Sequence, residues 1–277
     1  MQDRDHLYLD LMKKVLTYSL WTEPGRSVSE YLYRLPPILR FPTRLAIRGF
    51  RRLNIDLIAR KDYDNDQREE GRLWPGHAHT MIGRHRLDNL QYCVESVLKN
   101  QVEGDLIETG VWRGGACILM RAILAAYGNS DRRVFVADSF RGLPPPDPTR
   151  YPLDRGSGFH RHQSILAVSR SDVENRFESF GLLDEQVVFL EGWFKDTLPS
   201  APIEKLAVMR LDGDMYESTI QALEYLYPKL TVGGFCIIDD YAIDACREAV
   251  DAYRNRMNVT DQLEKIDWTG VYWQKGT

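Results

Sequence analysis

The chain has 277 residues, of which 43% are hydrophobic, and this is enough for one large α/β core, although two small domains would also fit. With 36 Lys and Arg against 40 Asp and Glu, the net charge of −4 argues against nucleic acid as a partner. No run approaches the roughly 18 apolar residues of a transmembrane segment, and the charged start lacks the apolar stretch of a secretory signal. We therefore expect a cytoplasmic protein. The four cysteines have no CxxC spacing, so neither disulfides nor zinc are expected.

Residues 1–70 form a less regular N-terminal extension, and we expect the main domain to span residues 71–277. Residues 6–21 have helical periodicity. Residues 34–61 combine three prolines with eight basic side chains, and residues 44–60 predict a basic amphipathic helix after a possible cap at Thr43. A surface or subunit interface would suit such a helix, and contact with a membrane surface is the alternative. We also expect a homo-oligomer.

From Asp105 onward, short apolar runs alternate with helical patterns, which predicts parallel strands joined by crossover helices. The predicted strands are residues 105–111, 133–139, 187–193, 205–214 and 233–241. The predicted helices are residues 114–128, 169–181, 217–230 and 243–257, and residues 263–276 predict a terminal hairpin around Thr269 and Gly270. The polar, Pro-rich segment from Gly142 to about His162 is too long for an ordinary connection, which indicates a lid or substrate loop.

Acidic residues follow two of the predicted strands. Asp212 comes directly after one apolar run, and Asp239 and Asp240 come directly after the next. Because ligands of open α/β sheets bind at the carboxyl ends of the strands, we expect these side chains to converge. One such aspartate is usually a cap or a solvated turn, but three together would repel one another unless a cation is bound. Carboxylate oxygens are the ligands that Mg²⁺ prefers, so the sequence predicts a magnesium site.

A second group of residues has the form of a nucleoside-cofactor site. Residues 104–115, GDLIETGVWRGG, are a strand, an acidic residue and a Gly-rich turn, in which Gly110 lets the backbone approach a ligand. So loose a turn is also common for structural reasons alone. Asp138 ends the second strand, where a carboxylate accepts both ribose hydroxyls unless it is a cap, and Ser139 can assist. Trp193 follows the third strand, where it would stack on adenine or belong to the core. Metal and cofactor together suggest group transfer.

Several linked motifs resemble those of the macrocin O-methyltransferase family, the sugar-modifying methyltransferases of antibiotic biosynthesis. Between about Gly71 and Trp273 they are RLWPGHAHTMIG, RLDNLQYCVE, GDLIETGVWRGG, VADSFRGLP, LEGWFKDTLP, LDGDMYEST, IIDDY and IDWTGVYW, with a weaker YLDLMKKVLT near the start. The resemblance implies a Rossmann-like class I methyltransferase fold with a seven-stranded, mostly parallel sheet. The sequence patterns described above also predict a C-terminal antiparallel hairpin and an N-terminal helical elaboration. It further implies S-adenosylmethionine as cofactor, a Mg²⁺ site, and methylation of a hydroxyl on a glycosylated natural product.

The resemblance also suggests roles for individual residues. Thr80 and Met81 match family residues that close over the cofactor from the N-terminal side. Glu108 would meet the ammonium group of S-adenosylmethionine. The sequence departs from the family pattern in its longer, more basic residues 22–61 and in Arg141, where an acidic residue usually follows DSF. Both departures concern the identity of the substrate more than the chemistry.

The predicted reaction needs a base for the acceptor hydroxyl. Asp214 would lie on the same strand face as Asp212 if the strand continues, and would be in reach of the hydroxyl. Asp212 is the competing candidate, through an oxygen not bound to metal, and Asp214 could instead cap the helix near Glu217. Mg²⁺ could bind two adjacent sugar hydroxyls.

Three other functions remain as alternatives. A metal-dependent O-methyltransferase of a catechol-like or other small-molecule hydroxyl would share the fold and the aspartates. An NAD-dependent oxidoreductase would need a tighter glycine fingerprint. The three aspartates argue against the third alternative, a catalytically inert binding module.

Overall fold

The computed structural model describes residues 3–22, 26–29, 32, 35–59, 64–73 and 75–276. Its N-terminal part consists of α1 (Asp3–Leu16), β1 (Arg26–Ser27), α2 (Pro37–Arg52), β2 (Ile58–Ala59), α3 (Asn65–Glu69) and α4 (Arg84–Lys99). The short strands β1 and β2 pair antiparallel. No described helix has the length and hydropathy needed to cross a membrane.

The rest of the chain alternates strands and helices. The elements are β3 (Asp105–Thr109), α5 (Gly115–Ala126), β4 (Val134–Asp138), α6 (Gln163–Leu166), α7 (Arg170–Ser179), β5 (Val187–Glu191), α8 (Phe194–Thr197), β6 (Leu206–Leu211), α9 (Tyr216–Leu226), β7 (Leu230–Ile238), α10 (Asp244–Arg256), β8 (Glu264–Lys265) and β9 (Val271–Gln274).

The strands of this part form one sheet in the order β5-β4-β3-β6-β7-β9-β8. Strands β3 to β7 are parallel to their neighbours, whereas β9 pairs antiparallel with β7 and β8 pairs antiparallel with β9. The predicted fold, a seven-stranded and mostly parallel sheet with a C-terminal antiparallel hairpin, is confirmed.

Helices cover both faces of the sheet, as a parallel sheet requires. One buried apolar cluster joins the sheet to α1, α4, α5 and α7, and a second joins its other face to α9 and α10. Strand β6 is buried at every position, which explains why its sequence is an apolar run rather than an alternating pattern.

The order of the strands determines where a ligand can bind. The chain passes from β3 to β4 and β5 on one side and then crosses to β6 and β7 on the other. The connections that leave β3 and β6 therefore diverge, and the crevice at such a switch point is the usual ligand site of open α/β sheets.

The structure corrects several predicted boundaries. The strand predicted for residues 205–214 ends at Leu211, and the one predicted for 233–241 ends at Ile238. The basic helix predicted for 44–60 is α2, which begins at Pro37, contains Pro42 and ends at Arg52. Residue 60 lies outside the described residues. Exposed side chains of α2 include Ile38, at 82%, and Phe41, at 75%. Its role at an interface or a membrane stays a prediction.

Candidate active site

One cavity of about 340 Å³ opens at the switch point, at the carboxyl ends of β3, β4, β6 and β7. All the residues that the sequence nominated for cofactor, metal or catalysis line it. They are Thr80, Met81, Glu108, Gly110, Asp138, Ser139, Trp193, Asp212, Asp214, Asp239 and Asp240. Their convergence is observed, whereas the individual roles stay predictions.

The turn after β3 brings the backbone close to the end of β6. Gly110 has a φ of +84°, and a Cβ at this position would lie 1.7 Å from the carbonyl oxygen of Asp212. Only glycine fits here, because any side chain would collide with that backbone. At Gly115, where α5 begins, a Cβ would meet the carbonyl of His79 at 2.6 Å and the side chain of Thr80 at 2.7 Å. The segment with Thr80 and Met81 thus packs directly against the glycine turn.

Asp138, at the end of β4, has its carboxylate against the same turn. Its Oδ2 accepts a hydrogen bond from the Val111 amide at 2.8 Å, and its Oδ1 accepts one from the Phe140 amide at 2.7 Å. The Trp112 amide is a third donor to this carboxylate, which leaves about one of its four lone pairs for a ligand hydroxyl. The Ser139 hydroxyl donates to the Gly142 carbonyl at 2.7 Å. Its oxygen also accepts the Arg141 amide at 3.0 Å, so it can serve a cofactor only as an acceptor through its remaining lone pair.

Trp193 immediately precedes α8, and its carbonyl accepts the amides of Asp196 and Thr197. The side chain is half-buried and lines the cavity rather than belonging to either apolar cluster. The alternative that it is a core residue is thereby weakened, and stacking on a ligand stays the prediction.

Oxygen atoms of Asp212, Asp239 and Asp240 lie within 4.8 Å of one another. Asp214 does not continue β6. It has a φ of +56°, and its amide donates to Oδ2 of Asp240 at 3.2 Å. The expectation that Asp214 shares a strand face with Asp212 is wrong, because the strand has already ended at Leu211.

Two buried arginines, which the sequence reasoning missed, hold Asp239, Asp212 and Glu108. Arg210 of β6 donates to Glu108 and Asp239, and to Asp212 at 2.9 Å. Arg86 of α4 donates to the other oxygen of Asp239. A signal for Arg210 was present, because it is the one charge inside the apolar run LAVMRL of β6. Nothing in the sequence around Arg86 indicates its partner, which lies 153 residues away.

The carboxylates of this site outnumber the two arginines. Burial and the carboxylates around it raise the pKa of Asp240 well above its usual range. Burial, with the charges of Asp212 and Asp239, raises the pKa of Asp214 to about 8. Burial also raises the pKa of Glu108 to about 7, against the opposing effect of Arg210. Burial is the largest cause of each of these shifts, and the charges of the neighbouring carboxylates add to it.

These donors fit a divalent cation. The three converging groups offer the oxygen ligands that such an ion prefers, and the added charge would relieve their mutual repulsion. Asp239 is the least free of them, because both of its oxygens already accept hydrogen bonds from guanidinium groups. It could reach an ion only through a remaining lone pair. Asp212 and Asp240 are the more available ligands.

The long connection after β4 forms another part of the cavity wall. It contains two short 3₁₀ turns, Pro152–Asp154 and Phe159–His162, and Leu143, Pro144 and Phe159 line the cavity. The buried Asp154 accepts from the amides of Tyr216 at 2.7 Å and Glu217 at 3.0 Å. The cap of α9 is therefore this loop residue.

The fold and the site define an enzyme of the class I methyltransferase type. Residues 5–275 match the family model described as Macrocin-O-methyltransferase (TylF). The chain is 52% identical over 273 residues to the 8-demethyl-8-(2,3-dimethoxy-alpha-L-rhamnosyl)-tetracenomycin-C 4'-O-methyltransferase of Streptomyces olivaceus, covering 99% of this chain and 94% of that protein. It is 49% identical over 272 residues to the demethyldecarbamoylnovobiocin O-methyltransferase of Streptomyces niveus, covering 97% and 93%. Among solved structures, the O-methyltransferase NovP matches with 48% identity and a TM-score of 0.84, covering 99% of this chain and all (100%) of NovP.

The chain belongs to the macrocin O-methyltransferase family. The resemblance noted from the motifs is confirmed over almost the whole sequence, and the protein is an O-methyltransferase. Membership of this family implies the use of S-adenosylmethionine.

Proposed function

We propose that the protein transfers a methyl group from S-adenosylmethionine to a sugar hydroxyl of a glycosylated natural product, with a divalent cation at Asp212, Asp239 and Asp240. The observation that supports this most is the convergence of three carboxylates beside the glycine turn, in one cavity at the switch point. The expected cytoplasmic location and homo-oligomeric state stay predictions.

The relatives support a glycoside as acceptor rather than a catechol-like molecule. The tetracenomycin enzyme is named for transfer to the 4' oxygen of a rhamnosyl group that carries methoxy groups at positions 2 and 3. For that enzyme, the sugar oxygen next to the attacked hydroxyl is therefore an ether. We infer that the present site likewise takes a hydroxyl with a neighbouring sugar oxygen, without requiring that oxygen to be a free hydroxyl.

When bound, S-adenosylmethionine supplies a methyl group already activated by its sulfonium, and a divalent cation supplies a Lewis acid that makes a hydroxyl more acidic. The chain itself must orient the acceptor, remove its proton and exclude water. The glycine turn, Asp138 and Trp193 would hold the cofactor on the β4 and β5 side of the cavity. The loop from Gly142 onward would cover the acceptor.

Asp214 is the group that we propose as the base. Among the described residues its carboxylate makes no ion pair, unlike Asp212 and Asp239, which both pair with Arg210. Burial and the charges of Asp212 and Asp239 raise its pKa to about 8. A cation bound at those aspartates would lower this pKa, which would leave a deprotonated carboxylate that can accept the hydroxyl proton. Asp212 is the competing candidate, through its oxygen that does not pair with Arg210.

Removal of the cation tests this proposal. Methyl transfer to a panel of glycosides that includes α-L-rhamnosides should stop after exhaustive chelation and return when Mg²⁺ is added. Asp240→Asn should lower the rate by about 100-fold or more, because even residues that only support metal ligands cost 10–100-fold. The matched control is Asp244→Asn, since Asp244 has an exposed carboxylate on the neighbouring helix.

Binding of S-adenosylhomocysteine should survive in both variants, which separates the metal role from the cofactor role. Full activity after chelation would contradict the proposed requirement for a divalent cation. Binding of S-adenosylhomocysteine without transfer to any glycoside of the panel would contradict the acceptor class.

A further inference from the structure

Trp268 is a large aromatic side chain at the cavity that takes no part in the proposed metal binding, cofactor binding or proton transfer. It lies in the turn between β8 and β9, it borders the cavity, and 40% of it is exposed. Aromatic side chains that line pockets are typical ligand contacts.

The indole ring is held in a fixed orientation. Its Nε1–H donates to the Glu70 carbonyl at 2.8 Å, and the guanidinium of Arg72 lies 4.6 Å from the ring centroid. Arg72 is itself paired with the Glu70 carboxylate. One face of the ring is thus covered by Arg72, and the ring meets a ligand in a prearranged position, which reduces the entropy cost of binding.

The turn that carries Trp268 is attached to the acidic cluster. Asp267 accepts the Thr269 amide at 2.9 Å, and its other oxygen accepts from Arg86 at 2.9 Å. The Thr269 hydroxyl donates to the Asp239 carbonyl at 3.1 Å. The position of the indole is therefore fixed relative to Asp239, one of the three carboxylates of the proposed metal site.

The order of the strands assigns Trp268 to the acceptor side. The proposed cofactor residues Asp138 and Trp193 follow β4 and β5, at one end of the sheet, whereas Trp268 lies between β8 and β9, at the other. The acidic cluster at the ends of β6 and β7 lies between them. A donor bound beside β4 and β5 leaves Trp268 on the far side of the reacting centre.

We propose that Trp268 binds an apolar ring face of the acceptor, and that Arg72 positions it. The face is either the C–H face of the sugar or the plane of the aglycone, because both offer a flat, uncharged surface to an indole. This inference rests on the proposed function, since it concerns the acceptor of that reaction.

The test compares Trp268→Ala, Trp268→Phe and the control Trp21→Ala. Trp21 is 48% exposed and lies outside the described lining of the cavity. We expect Trp268→Ala to raise the acceptor KM by about tenfold and Trp268→Phe by about threefold or less, because phenylalanine keeps part of the stacking surface. The Kd of S-adenosylhomocysteine and the Tm should change little, and Trp21→Ala should leave the KM unchanged.

Two acceptors distinguish the source of the ring face: a methyl glycoside and a glycoside of the same sugar with a polycyclic aglycone. A loss with both indicates the sugar, and a loss with the second alone indicates the aglycone. Arg72→Met should raise the acceptor KM when Trp268 is present, but should not raise it further when combined with Trp268→Ala. This outcome is expected if Arg72 acts by positioning the indole.

An unchanged KM in Trp268→Ala with both acceptors would overturn the inference while leaving the proposed function intact. A wild-type protein that binds S-adenosylhomocysteine but methylates neither acceptor, nor any other glycoside, would overturn the proposed function and this inference with it.

Discussion

At the scale of single residues, the carboxylates of the cavity differ chiefly in their partners. Asp239 accepts from two guanidinium groups, and Asp212 accepts from Arg210. The side chain of Asp214 makes no ion pair within the described chain. Its pKa is raised to about 8 by burial and by the charges of Asp212 and Asp239. The same residue type therefore serves structure at one position and remains available for proton transfer at another.

Asp214→Asn tests this difference. Asparagine tolerates the left-handed backbone of this position, where φ is +56°, so the fold should be kept. We expect kcat to fall by about 10²- to 10⁴-fold, the usual contribution of a general base, with the affinity for S-adenosylhomocysteine unchanged. Asp212→Asn should instead lower the affinity for Mg²⁺, measured by calorimetry, as well as kcat. A normal kcat in Asp214→Asn would transfer the role of the base to Asp212.

Sequence patterns located the carboxylates but not the groups that balance them. Asp212, Asp239 and Asp240 follow apolar runs, and the ends of parallel strands meet, so their convergence could be predicted from the chain. Arg86 comes from a helix that the patterns did not predict. Its contact with Asp239 exists only through the tertiary packing of α4 against the sheet. Long-range charge pairs of this kind have no local sequence signature.

At the scale of elements, the long connection after β4 is held near its midpoint, at Asp154, against the first turn of α9. Asp154 is only 1% exposed, within a segment that is otherwise largely exposed, and its carboxylate accepts the first amides of α9. Tyr151 packs against Tyr216, and its hydroxyl accepts from Gln221 at 3.3 Å. Glu217 and Gln221 on α9 line the cavity, so the loop and the helix form one wall.

Asp154→Ala should release this wall. The loss of a helix cap costs about 0.5–2 kcal/mol, so the fold should persist while the loop detaches. We expect faster tryptic cleavage at Arg150 and Arg155 and a higher acceptor KM. The matched control is Asp147→Ala, because within the described part of the chain the exposed Asp147 side chain bonds just the nearby amides of Thr149 and Arg150. Equal cleavage rates in both variants and the wild type would show that Asp154 does not hold the proposed lid in place.

The elements differ in how well the sequence predicts them. Strands β3 to β7 were recognisable because buried parallel strands are apolar runs, and errors were confined to their ends, where Asp214 enters a turn. The start of α2 was misplaced by the possible cap at Thr43 and by Pro42. Pro42 lies inside this helix, as its sixth residue, although proline lacks the amide that would bond the carbonyl of Ile38.

At the scale of the whole molecule, the N-terminal helix belongs to the core of the sheet. Leu9, Met12 and Leu16 of α1 lie in the same buried cluster as α4 and α5. The Leu16 carbonyl accepts the amide of His79 at 2.8 Å, and Lys13 pairs with Asp88 of α4. The segment that carries Thr80 and Met81 is thus attached to α1, so the cofactor contacts predicted for these two residues would depend on the N-terminal extension.

Leu16→Ala tests whether the predicted division into residues 1–70 and 71–277 is also a division in stability. Leu16 is fully buried, and such truncations cost about 2–5 kcal/mol. Because the cluster is continuous, we expect the single main transition to fall by about 4–20 °C, given roughly 2–4 °C per kcal/mol for large domains. Leu7→Ala is the control on the same helix, since Leu7 is 71% exposed and such changes usually stay within about 0.5 kcal/mol. Calorimetry distinguishes the outcomes: an unmoved main transition with a new early one would mean that the extension unfolds independently of the methyltransferase core.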